Sequence, residues 1–247
     1  MNFSIITATY NSAVTVRDTL ESVASQDYGN VEHIIIDGLS TDNTLAIVKE
    51  YPHVQAVFSE RDRGIYDAMN KGIARAGGDI IGILNSDDFY FDRKVLSRVA
   101  ETFRRTGCDA VYGDLVYIDQ VNVNKVIRYW NAGLYKPGSF KWGWMPPHPT
   151  FFVKREMYEK WGNFNLQLKT SADYELMLRF IHKHNIRLEY IPSVLVKMRI
   201  GGVSNVSLSN RLKANTEDKL AWTINNLSPF WFTLYLKPLK KITQFIK

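Results

Sequence analysis

Apolar residues in the first hundred positions follow two alternating periods. Phe3–Ala8 is a continuous apolar run rich in β-branched residues, and Val16, Leu20 and Val23 then recur at helical spacing. Val31–Ile36 predicts a second buried strand, and Asp42–Glu50 a short helix with an Asp cap. Val54–Phe58 reads as a strand, and Ile65, Ala68, Met69, Gly72 and Ile73 as one helical face. Ile80–Leu84 is again strand-like, and Leu96, Val99 and Phe103 mark the next helix. Strands separated by helices of this length predict an α/β fold, a mainly parallel sheet flanked by helices on both faces.

The second half is less regular. Ala110–Tyr112, Leu115–Ile118 and Val126–Trp130 predict shorter strands with hairpins. Residues 131–150, rich in Gly, Pro and aromatics, read as a long shaped loop. Ser171–Lys183 reads as a helix, and Leu188–Ile191 and Val194–Ile200 as extended. A helix is expected from 211, before the apolar-aromatic run Pro229–Leu236. The expected organisation is a body over 1–205 and a small helical extension over 206–247.

Composition narrows the class. The 247 residues are 45% hydrophobic and 23% charged, which is ordinary globular usage. The one cysteine, Cys108, excludes an internal disulfide and a cysteine-rich zinc site and suits the cytoplasm. The start, Asn2–Thr7, is too polar for a signal core, and no apolar run is long enough to span a bilayer. The net charge of +6 is unevenly placed: residues 206–247 hold +5 of it and the body is nearly neutral. That split argues against nucleic acid as the partner.

In open α/β sheets, ligands bind beyond the carboxyl ends of the parallel strands. The first strand ends in Thr7-Ala8-Thr9-Tyr10-Asn11, the second in Asp37-Gly38-Leu39-Ser40-Thr41-Asp42, the fourth in Asn85-Ser86-Asp87-Asp88. Turn and cap chemistry accounts for some of these polar residues. Adjacent carboxylates such as Asp87 and Asp88 repel unless a cation or donor neutralises them. No glycine-rich phosphate cradle follows any strand. A phosphate at this rim would be bridged to the carboxylates by a hard cation, Mg²⁺ or Mn²⁺.

Four segments, Ala8-Thr9-Tyr10-Asn11, Asp37-Gly38-x-Ser40-x-Asp42-x-Thr44, Asp67-Ala68-x-Asn70-Lys71-Gly72 and Leu84-Asn85-Ser86-Asp87-Asp88, stand in order along the chain. Together they resemble family 2 glycosyltransferases of the GT-A fold, most closely bacterial enzymes of exopolysaccharide and lipopolysaccharide synthesis. The resemblance covers about the first 205 residues and implies a Rossmann-like sheet and a nucleotide-sugar donor. It places Thr7, Ala8 and Tyr10 on the nucleoside and Asp37 on the base. Asp87 then takes the metal-binding position of the Asp-x-Asp motif with Asp88 beside it. Asn85 stands where the family has the first Asp, with Ser86 between. Asp62 in Glu60-Arg61-Asp62-Arg63-Gly64 is either a nucleotide contact or part of a solvated turn.

Thr170-Ser171-Ala172-Asp173 opens the next helix, where Ser171 or Asp173 can cap and the dipole favours a carboxylate. The resemblance implies that Asp173 is the general base of an inverting displacement, with Ala172 replacing the family's Glu. His148, between prolines, is read as structural or as a diphosphate, metal or acceptor contact. Trp144 either stacks on a sugar or packs its loop. Arg199 and Ser204, around Gly201-Gly202, are candidates for the diphosphate. Phe230, Trp231, Phe232 and Tyr235 beside Lys237, Lys240 and Lys241 suit the inner face of a cytoplasmic membrane, where a lipid-linked acceptor is presented. Docking on the protein itself is the other reading of that tail. Two alternatives compete with transfer: a sugar-phosphate nucleotidyltransferase, whose glycine-rich N-terminal loop is missing, and a non-catalytic sugar-nucleotide-binding module, which Asn85 and Ala172 would permit.

Overall fold

A computed structural model describes residues 1–201 and 208–239. Strands β1 (Phe3–Thr9), β2 (Val31–Asp37), β3 (Val54–Ser59) and β4 (Ile80–Ile83) form parallel pairs in the order β3-β2-β1-β4. All of β1 is buried. A parallel strand covered on both faces has no solvent side, so its apolar run need not alternate. Helix α3 (Ile65–Arg75) lays Ala68, Met69 and Ile73 on Ile6, Ala8, Ile34 and Ile36. A Cβ on Gly72 would fall 2.3 Å from a side-chain carbon of Ile6, so glycine sets the approach of helix to sheet. The opposite face is covered by α1 (Val16–Ala24), α2 (Thr44–Val48) and α4 (Val95–Thr106). Helix α2 is shorter than the span expected over Asp42–Glu50; Asp42 stands before it and accepts from Thr44 N at 2.9 Å.

Beyond β4 the nine-stranded sheet turns mixed. The strand β8 (Phe152–Lys154) runs antiparallel to β4 and to β6 (Ala110–Ile118). Next come β9 (Leu188–Arg199), parallel to β6, and β5 (Asp88–Tyr90), with β7 (Val126–Trp130) off β6. The pattern divided β6 at Gly113-Asp114 and β9 at Pro192-Ser193. Each is one strand, and the irregular register between them falls at those positions. Asp114 passes through a buried strand because Ala132 N and the Tyr129 and Tyr190 hydroxyls donate to its carboxylate. Strands of three residues, β5 and β8, are too short to show a period.

The chain continues through α5 (Arg155–Trp161) and α6 (Ala172–Met177), which widens into a π-helical stretch over Leu178–Lys183. Two C-terminal helices follow, α7 (Leu208–Ile224) and α8 (Thr233–Leu239). Trp222 of α7 is fully buried in the core cluster that includes Ile6 and Ile34, and its indole N–H donates to the Tyr174 hydroxyl at 2.9 Å. The segment after 205 therefore shares its core with the sheet. Among the described residues no helix is long and apolar enough to cross a membrane.

Candidate active site

The rim forms where β1, β2 and β4 end. Two loops are buttoned together there: Ser40 Oγ accepts from Asn11 N, and Asn11 Oδ1 accepts from Thr41 N, both at 2.8 Å. Asn11 and Leu39 take positive φ, 48° and 63°, to make the turns. Asp37 is fully buried, and its Oδ2 accepts from Ser40 N at 3.0 Å and from Ser59 Oγ at 2.6 Å. It holds the loop together instead of opening toward a base. Thr7 is also fully buried, its Oγ1 paired with His33 Nε2 at 3.0 Å, and Ala8 packs beneath α3. Their side chains do not reach the rim, because alternate residues of a doubly covered strand point into one layer or the other. Tyr10, one residue past β1, is 62% exposed. A Cβ on Gly38 would come 2.5 Å from Asp62 Oδ2 and 3.5 Å from Tyr10 Cδ2. Tyr10, Gly38 and Asp62 thus adjoin one another at the rim. The neighbouring Arg63 is spoken for by Asp67 at 2.8 Å.

At the end of β4, Ser86 is nearly buried and pairs with Ser12 Oγ at 2.8 Å. Asp87 and Asp88 diverge. Asp87 is partly exposed; burial raises its pKa, and the charges of Arg199 and His148 pull it back. Asp88, paired into β5, is fully buried, and burial with the Asp87 charge lifts it well above the usual carboxylate range. Asn85 Nδ2 donates to Asp88 Oδ2 at 3.3 Å, while Asn85 Oδ1 and Asp88 Oδ1 are buried without a partner. Asp88 therefore does not join Asp87 at the rim as expected. Among the described residues no group of His, Cys, Asp and Glu is dense enough to enclose a metal alone. The donor set fits an ion that takes its remaining oxygens from a diphosphate and water.

Arg199 is 7% exposed, and its guanidinium donates to the Asp87 carbonyl at 2.7 Å and to Asp18. It ties the Asp87 turn to Asp18 and is buried rather than open for a diphosphate. Its proposed companion Ser204 lies outside the described residues.

Asp173 stands in the first turn of α6. The Tyr66 hydroxyl donates to its Oδ1 at 3.0 Å, and His148 Nδ1 lies 3.3 Å from its Oδ2. Burial and the Asp173 charge push the Tyr66 pKa well up, so Tyr66 stays a donor. His148 thus stands beside Asp173, and its charge is one of the influences on Asp87. Trp144 packs its loop: its indole N–H donates to Ala132 O at 2.7 Å, and its ring meets Tyr112, Tyr135 and Phe140. His182 and His184 are half-buried, against Trp222 and Trp161 respectively.

Sequence reasoning gave Tyr66 no role. It missed Asp18, and it missed Glu217, whose carboxylate ties down the turn before Asp173. No local pattern marks these partners, since Tyr66 and Asp173 are 107 positions apart.

In the tail, Lys237 does not face outward. Its Nζ pairs with Asp218 at 2.6 Å and sits over the Tyr174 ring. Phe230, Trp231 and Tyr235 remain 41%, 86% and 69% exposed, with Trp142 at 56% beside Phe230. Lys240 and Lys241 lie outside the described residues.

The sequence profile of Glycosyl transferase family 2 matches residues 4–162. A PGL/p-HBAD biosynthesis glycosyltransferase of Mycobacterium bovis is 28% identical over 220 residues, 82% of this chain and 79% of the relative. An uncharacterized glycosyltransferase of Mycobacterium tuberculosis is 32% identical over 185 residues, 71% of this chain and 67% of the relative. The fold resembles that of S. aureus TarS (residues 1–349) in complex with UDP-GlcNAc: TM-score 0.72 at 19% identity, over 96% of this chain and 69% of that one. It also resembles the mannosyltransferase PcManGT of Pyrobaculum calidifontis in complex with GDP-Man and Mn²⁺: TM-score 0.69 at 18% identity, over 96% and 68%.

Proposed function

The chain belongs to the family 2 glycosyltransferases, and from that premise we propose that it transfers a sugar, with inversion, from a nucleoside-diphosphate sugar to a hydroxyl of a lipid-linked glycan in cell-envelope polysaccharide synthesis. One observation carries this reading. Asp173, a carboxylate suited to a base, accepts from the Tyr66 hydroxyl at 3.0 Å and faces His148 Nδ1 at 3.3 Å, while Asp87, one suited to a metal, stands just past the end of β4.

In this reading Tyr10, Gly38 and Asp62 receive the nucleoside. Asp62 offers a carboxylate to a base N–H, the role expected of Asp37. Asp87 would hold a divalent ion, Mn²⁺ or Mg²⁺, as the mannosyltransferase in complex with GDP-Man and Mn²⁺ suggests. Such an ion would supply charge stabilisation for the departing nucleoside diphosphate. Arg199 keeps the Asp87 turn in place. The acceptor oxygen bonds to the anomeric carbon as the bond from that carbon to the phosphate oxygen breaks, and the hydroxyl proton passes to Asp173. The hydroxyl is far less acidic than a carboxylic acid, so proton transfer accompanies attack. The Tyr66 hydroxyl donates to Oδ1, and Oδ2, which faces His148 Nδ1 at 3.3 Å, is the oxygen that takes the proton.

The test is Asp173→Asn assayed against UDP-, GDP- and dTDP-sugars with Mn²⁺. Transfer should fall by about 10²–10⁴-fold with nucleotide binding retained, and chelation should abolish transfer in the wild type. Near-normal transfer by Asp173→Asn would remove the base assignment. Product released without inversion, read by NMR of the new linkage, would remove the single-displacement mechanism.

The exposed cluster of Trp142, Phe230, Trp231 and Tyr235, with Lys141 over the Phe230 ring, supports a membrane-facing surface on the same chain. The full chain carrying Phe230→Ser and Trp231→Ser should lose co-sedimentation with anionic vesicles. Undiminished co-sedimentation would exclude that surface.

A further inference from the structure

The turn that carries Asp173 is held from outside the sheet. Glu217, on α7, receives it. Its Oε2 accepts from Thr170 N at 2.8 Å, Thr170 Oγ1 at 2.9 Å, Ser171 N at 3.0 Å and Lys169 N at 3.1 Å. At its far end the same loop is tied to α3, where Asn70 exchanges two hydrogen bonds with the Phe164 backbone, both 2.9 Å. Asp173 follows Ser171 by two positions, in the first turn of a six-residue helix. The first backbone donors of a helix have no partner within it and need partners from elsewhere. Backbone N–H groups converging on one carboxylate make charge-assisted bonds, about twice as strong as neutral ones. Glu217 also acts electrostatically on Tyr66, the residue that donates to Asp173.

We propose that Glu217 is a positioning residue for transfer: by gathering Lys169, Thr170 and Ser171 onto one carboxylate, it sets where the Asp173 carboxylate stands relative to the acceptor hydroxyl. The C-terminal helix is then part of the reaction geometry as well as of the core. Donor binding is built at the ends of β1, β2 and β4, none of which Glu217 touches. Its removal should therefore act on the chemical step. This inference rests on Asp173 being the base.

The experiment uses the full chain with Glu217→Ala, Glu217→Gln and Thr170→Val. It measures kcat at saturating donor, Kd for the nucleoside diphosphate, and thermal unfolding. A displacement of about 1 Å at a reacting group costs on the order of 100-fold. Glu217→Ala should lower kcat by about that factor with Kd within about twofold. Glu217→Gln keeps the length and one carbonyl acceptor and should stay within about tenfold of wild type, and Thr170→Val, which deletes one donor, should fall less than Ala. A folded Glu217→Ala with wild-type kcat overturns the proposal. So does a kcat loss matched by the loss in Kd, or a Gln variant no better than Ala. If Glu217→Ala fails to fold, Gln and Thr170→Val decide, and unchanged kcat in both overturns it. Asp173→Asn, run in parallel, separates the two readings. Near-normal transfer there removes the base itself, whereas its loss alongside an unaffected Glu217→Ala removes only the positioning role.

Discussion

Acidification should destabilise this protein through a buried histidine pair. His33 on β2 is fully buried; its Nε2 meets Thr7 Oγ1 at 3.0 Å and its Nδ1 meets His53 Nε2 at 3.1 Å. Neutral imidazoles satisfy this chain, each giving one hydrogen and taking one. Burial, and then the neighbouring His53, push the His33 pKa from 6.5 down to about 3, and burial lowers His53 as well. The folded pKa lies below the unfolded one, so the unfolded chain binds the proton first. Stability is full above about pH 6.5 and is lost as pH falls toward 3. The limiting slope is about 1.4 kcal/mol per pH unit, and integration from about pH 7.5 to about pH 5 costs about 2 kcal/mol for His33. The perturbation is His33→Gln, which removes the titrating group while keeping polar atoms in the slot. The assay is urea unfolding at several pH values across that range. The variant is expected to be less stable at neutral pH but to lose about 2 kcal/mol less on acidification. Wild-type and variant curves that run parallel would refute the reasoning.

Two further outcomes follow from the rim. Gly38→Val places a side chain against Asp62 and Tyr10. What must give is the end of the Asp62 side chain, so thermal stability should change little while nucleoside-diphosphate affinity, read by titration calorimetry, falls at least about tenfold. Tyr66→Phe deletes the hydroxyl that donates to Asp173. A hydrogen bond to a charged group contributes about 1.5–3 kcal/mol, so kcat for transfer should change by about tenfold or more with donor Kd unaltered.

The first sheet half was legible because its signals are local. Phe3–Thr9 and Val31–Asp37 are runs that only a doubly covered strand needs, and the helices between them show their own period. The motif residues sit at strand ends, which the topology makes one rim whatever the details. What could not be read was which way each side chain turns. Thr7, Asp37 and Asp88 have the right chemistry and the right address, yet each is consumed by a neighbour or buried by strand pairing, through His33, Ser40 with Ser59, and β5. Trp144 was equally ambiguous until its indole N–H found Ala132 O.

The sequence alone determined the α/β class, the family resemblance, the acidic rim and the position of Asp173 at a helix start. These depend on residue order and short-range periodicity, which the chain carries without being folded. Only the tertiary structure decided that His148 stands beside Asp173, that Arg199 holds the Asp87 carbonyl, and that the basic tail contributes Trp222 to the core and Glu217 to the turn before Asp173. Those are contacts between residues tens of positions apart. Their physical basis is the demand of each buried polar group for a partner, and no local stretch of sequence states which partner will meet it.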